Sequence, residues 1–169
     1  MTDHSSDYWK KFLQLIHHIE GGWYSEVYKS AVTIASSHLP SQFKGDRSAC
    51  THIYFLLEKG EFSAFHRIQS DELWHFYCGD PLVIYELEND GTLIKHHLGK
   101  DLEKGQSPFR VVKAGNWFAS EVMENSNYAL VGCTVSPGFD FADFELAKKN
   151  DLIEKFPGHK SLIERLCRQ

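Results

Sequence analysis

Apolar and polar positions change their period twice along this chain. Over residues 7–19, Trp9, Phe12, Leu13 and Ile16 recur at helical spacing, and Ser5 or Ser6 stands where an N-cap belongs. The pattern predicts a first helix over 7–19, stopped by Gly21-Gly22. Residues 23–30 then alternate as a strand does. So do 52–57, 62–68, 72–77, 82–87, 92–98, 109–112, 116–120 and 128–135. Turn residues separate these runs, among them Lys59-Gly60, Asn89-Asp90-Gly91 and Pro137-Gly138. Residues 36–50 are polar and predict a loop. Beyond Pro137 the period lengthens again, predicting short helices over 141–148, 151–156 and 159–167. Many short strands between turn signals predict a mainly β chain: an antiparallel barrel over about 23–136, within one domain spanning 1–169. Helices at both ends would pack on its outside.

Composition narrows this picture. Aromatic residues make up 14% of the 169 residues, which favours strands and a lined pocket. The net charge of −5 comes with no Lys- or Arg-rich stretch, so no nucleic-acid footprint is expected. The N-terminal stretch lacks a basic segment followed by an apolar one, and no apolar run reaches membrane-spanning length. The expected location is therefore the cytoplasm, with no membrane partner. Cys50, Cys78, Cys133 and Cys167 are scattered and read as reduced thiols.

The chemistry concentrates between Gly60 and Gly79. The order is Gly60, five residues, His66, one residue, Ile68, three residues, Glu72, six residues, Gly79. Alternate strand residues share a face, so His66 and Ile68 point one way, and Glu72, Trp74 and Phe76 share a face of the next strand. If both faces are the barrel interior, His66 and Glu72 meet in an aromatic pocket. His75 would point the other way unless a bulge intervenes. The pairs His17-His18 and His96-His97 are assigned no site, because adjacent residues diverge on a helix and on a strand.

This stretch resembles the first cupin motif, G-x5-H-x-H-x3-4-E-x6-G, with Ile68 in place of the second histidine. Residues 113–122 resemble the second motif around Gly115. There Lys113 replaces proline, Phe118 replaces histidine and Val122 replaces asparagine, while Gly105 lies two residues out of register. Further segments are similar to the predicted sugar epimerases of the cupin superfamily (RmlC-like), also classed as a domain of unknown function. They include Glu20-Gly21-Gly22-Trp23-Tyr24, residues 53–57, 65–67 and 70–77, Ala114-Gly115-Asn116-Trp117 and residues 130–141. The resemblance implies a jelly-roll barrel, a homodimer and a carbohydrate-like small-molecule ligand.

It also implies site residues. His66 would be a general base, oriented by Glu72 or Asp71, with Tyr24 or Tyr54 as the acid in an epimerisation of a sugar or nucleotide-sugar. Trp74, Phe76, Trp117, Phe118, Ile68 and Asp71 would line the ligand. A divalent metal would have His66 and Glu72 as ligands, with His75 or His52 as a third. Ile68 and Phe118 occupy two of the four usual ligand positions, so the expectation is a pocket for an organic ligand with no resident cofactor. A non-catalytic binder using the same pocket is the alternative function, and a metal-dependent dioxygenase or decarboxylase the third.

Overall fold

The first helix stops earlier than its apolar spacing predicts. The computed structural model describes residues 4–123 and 126–168 and gives α1 as Ser6–Phe12. Ser5 caps it, its hydroxyl accepting from the Tyr8 N–H at 3.3 Å. Gln14 then takes a left-handed φ of 53° and turns the chain away. Beyond it β1 (Ile16–His17) pairs antiparallel with β2 (Trp23–Lys29). Gly21 and Gly22, at φ 115° and 72°, make the turn between them and do not end a helix. A Cβ on Gly21 would lie 2.2 Å from the Phe62 carbonyl oxygen, so both the conformation and the space require glycine. His18 and Glu20 therefore sit in a tight hairpin against the sheet.

The expected strands are present as β5 (Thr51–Glu58), β6 (Phe62–Arg67), β7 (Asp71–Gly79), β8 (Leu82–Leu87), β9 (Leu93–Leu98), β10 (Phe109–Val112), β11 (Trp117–Val122) and β12 (Tyr128–Ser136), and three short strands join them, β3 (Thr33–Ile34), β4 (Arg47–Ser48) and β13 (Glu145–Leu146). Two segments depart from expectation. The loop over 36–50 contains β4, which pairs with β3. Residues 141–148 form no α-helix but a 3-10 turn, Phe141–Asp143, followed by β13. Local bonds explain this. Asp140 accepts from the Ala142 N–H, β13 pairs with β6, and the Ala147 N–H donates to Phe65 O. The closing helices are α2 (Lys149–Lys155) and α3 (Lys160–Leu166).

All strands but β3 and β4, which make a separate two-stranded sheet, form two facing antiparallel sheets in the orders β1-β2-β5-β12-β7-β10 and β13-β6-β11-β8-β9. This is the jelly-roll barrel, with short helices near the N- and C-termini of the chain. The core between the sheets contains Phe55, Trp74, Phe118, Ile84 and Val131, all essentially buried. Each such side chain contributes ~1.5–3 kcal/mol by leaving water. A second cluster lies on the outside of the five-stranded sheet. There Phe65, Leu87 and Trp117 pack against Leu152, Phe156, Ile163 and Leu166 of the C-terminal helices. No helix among the described residues is long and apolar enough to cross a membrane.

Candidate functional site

Alternation along β6 and β7 does bring His66 and Glu72 to one cavity, together with Ile68 and Tyr24. The space is about 250 Å³. Its far wall is aromatic, formed by Phe139, Phe141 and Phe144 from the segment after β12. That segment is anchored by a buried ion pair: Arg47 Nε donates to Asp143 Oδ2 at 2.7 Å and its Nη2 to Oδ1 at 2.6 Å.

His66 is 3% exposed and both of its nitrogens are engaged. Nδ1 lies 2.8 Å from the Ala64 carbonyl oxygen, which can only accept, so Nδ1 carries a hydrogen. Nε2 lies 3.2 Å from Oε2 of Glu20. The same oxygen is 3.3 Å from Nδ1 of His18, and Ser63 Oγ donates to the other carboxylate oxygen at 2.9 Å. A contact between Glu20 and His66 Nε2 is attractive only with a proton on the line between them. The two groups therefore share one proton. Burial alone would raise the Glu20 pKa, but His66, His18 and Ser63 outweigh it and hold this carboxyl below its ordinary value. Burial draws the His66 pKa down against the pull of Glu20.

Glu72 stands in the opposite condition. It lines the cavity at 8% exposure and makes no bond to either imidazole. Burial first, and then the charge on Glu20, push its pKa up to about 8, opposed only by a hydrogen bond with the Cys133 thiol. Glu72 is thus a neutral acid at neutral pH. Burial and Glu72 together raise the Cys133 thiol well above its usual range, so it is inert as a nucleophile.

Other expected site residues lie elsewhere. Trp74 and Phe118 are interior but one layer deeper, in the apolar core; the Phe118 ring lies 4.1 Å from the His66 ring and packs beneath it. Phe76 borders that core, with Lys100 over its face. Trp117 points out of the barrel, covered by Arg67 and the C-terminal helices. Asp71 orients no imidazole: it accepts from the Ala114 N–H and Lys113 Nζ, tying down the turn before β11. Tyr54 and His75 are on the outer face of the six-stranded sheet. There Thr134 Oγ1 joins His75 to His52, and Tyr54 packs edge-on against Tyr77. Strand parity separates them from Glu72, and the bulge on β7 comes only after Phe76.

Sequence reasoning missed Glu20, His18, Ser63, Cys133 and the three phenylalanines. Glu20 was within reach, since it opens one of the segments carrying the family resemblance. The predicted helix over 7–19 hid it and His18, because adjacent residues on a helix diverge, which leaves the pair His17-His18 without an assigned site.

Residues 7–147 match the family model described as Cupin superfamily (DUF985). The chain belongs to this family. A hypothetical protein from Leishmania major is 33% identical, with a TM-score of 0.90 over 98% of this chain and 100% of its own. A protein of Shewanella oneidensis is 41% identical, with a TM-score of 0.87 over 98% and 99%. An uncharacterized protein of Saccharomyces cerevisiae is 28% identical over 89% of this chain and 79% of its own length. Oxalate decarboxylase from Bacillus subtilis shares the fold at 13% identity and a TM-score of 0.53, over 89% of this chain and 36% of its own.

Cupin barrels raise the question of a metal, and the residues of this cupin do not fit one. Among the described residues no group of three or more His, Cys, Asp or Glu side chains is disposed to hold a metal ion. The two apolar replacements, Ile68 and Phe118, are buried at 3% and 1% exposure and are part of the packing around His66.

Proposed function

We propose that this cupin is an isomerase or epimerase that moves a proton on a small sugar-like hydroxy-carbonyl compound. One observation carries the reading: a single cavity holds two carboxyl groups driven in opposite directions, Glu20 down and Glu72 up. Environments that separate two titratable groups in this way define an acid and a base. The Glu20 carboxylate, positioned by His66, His18 and Ser63, is the base. One of its oxygens takes the proton from the carbon beside the substrate carbonyl, and the C–H electron pair moves into the enolate. Glu72 is the acid, hydrogen-bonding the developing oxyanion and returning a proton to carbon. Tyr24, on the same cavity, is a second hydroxyl donor in reach of the ligand. The resemblance to predicted sugar epimerases supplies the substrate class.

The test is solvent deuterium. Purified protein incubated in heavy water with a panel of aldoses, ketoses and their amino derivatives should label one of them beside the carbonyl. Glu72→Gln should reduce that labelling by a factor of at least ~100. No label in any substrate would remove the isomerase reading.

A non-catalytic binder is the second reading, favoured by a specific feature. Both nitrogens of His66 are already hydrogen-bonded, as in a structural histidine. In that case a ligand raises the melting temperature, His66→Ala abolishes the rise, and no deuterium enters the ligand.

A further inference from the structure

The cavity carries three carboxyl groups, Glu20, Glu26 and Glu72, and among the described residues its lining contains no Lys or Arg. The nearby cations are committed elsewhere: Arg47 to Asp143, Arg67 to Glu145 and Lys113 to Asp71. The two lining imidazoles, His18 and His66, are turned to Glu20. A phosphate, pyrophosphate or carboxylate entering here would find no compensating charge, and taking an anion out of water without one is costly. The remaining lining is apolar or aromatic apart from Thr51 and Cys133. Tyr24, Phe139, Phe141 and Phe144 offer π faces, and a π face attracts a cation and repels an anion. Glu26 and Phe141 are exposed, so a carboxylate and an aromatic ring meet the ligand at the solvent side.

We infer that the ligand of this cavity bears an ammonium group and no anionic group, held between the aromatic wall and the carboxylate of Glu26 at the mouth. This rests on the isomerase reading only for its reaction. For that reading it means an amino-bearing sugar-like substrate and excludes phosphorylated and nucleotide-linked sugars.

Three probes of one shape and different charge test it: choline, tert-butylethanol and tert-butylacetate. Each is titrated at neutral pH against nitrogen-labelled full-length protein while the His18 and His66 imidazole resonances are followed. Choline should bind about tenfold more tightly than the alcohol, and the carboxylate most weakly. Glu26→Gln should narrow the gap between choline and the alcohol. Equal affinities, a carboxylate that binds as tightly as choline, or no shift of either resonance by any probe would overturn the inference. If the charge order holds and no substrate takes up deuterium, the ligand class stands and the isomerase reading falls. If deuterium is taken up and the order fails, the reverse is true.

Discussion

The charge on Glu20 adds to burial in raising the proton affinity of Glu72 across the cavity. That relationship makes stability depend on pH in a definite direction. Glu72 holds its proton to about 8 when folded and releases it near 4.5 when unfolded. Its contribution is complete below 4.5, is lost as pH rises to about 8, and changes no further above that. Glu72→Gln keeps the neutral form at every pH. The variant should therefore gain on the natural protein between those values, by at most ~1.4 kcal/mol per pH unit, and hold a constant advantage above them. Denaturant unfolding of both proteins across the range checks this. Parallel curves would contradict it.

Removing the Glu20 charge should release Glu72. In Glu20→Gln the amide still reaches His66 and Ser63, but the carboxylate that opposes ionisation of Glu72 is gone. The Glu72 midpoint should then fall below about 8, and the protein should lose ~1–3 kcal/mol through the broken network. Titration of the variant reads the first effect and denaturant unfolding the second.

Arg47 and Asp143 are each buried, at 4% and 6% exposure, and joined by two hydrogen bonds. Asp143→Ala leaves a buried guanidinium without its partner and should cost ~3–5 kcal/mol. Arg47→Met combined with Asp143→Leu should cost less than either single truncation, because neither charge remains. Phe141 and Phe144 flank Asp143 in the chain, so both variants should also weaken binding of the charge probes. Chemical denaturation of the two single variants and the double variant checks the order.

Ile68 lines the cavity beside His66 and Glu72, where the cupin pattern carries a histidine. Ile68→His should add an imidazole beside Glu72 and the Glu20–His66 pair and raise zinc uptake above that of the natural protein, read by elemental analysis after dialysis. Uptake equal in the two proteins would contradict the account of why the residues here do not fit a metal.

Strand-borne features were legible because the side-chain period of a strand is short and rigid. The spacing from Gly60 to Gly79 placed His66, Ile68 and Glu72 on one cavity, and the same parity set Arg67 and His75 outside. Aromatic residues misled for a related reason. Parity distinguishes inside from outside but not depth, so Trp74 and Phe118 share the interior with Glu72 yet belong to the core. Trp117 follows the opposite parity to Phe118, and the C-terminal helices that cover it gave no periodic sign of where they would dock. The N-terminal hairpin was illegible because helical spacing continues past Leu13, whereas the break depends on the left-handed backbone of Gln14. That one residue decides whether His18 and Glu20 face water or the cavity.

The most direct test is a carboxyl-carbon NMR titration of protein labelled at its glutamates, with Glu72 assigned by its absence in Glu72→Gln. The account predicts a Glu72 resonance with a midpoint at about 8, while Glu20 remains ionised well below it. A Glu72 midpoint in the ordinary range near ~4.3 would contradict the opposed acid and base on which the proposed chemistry depends.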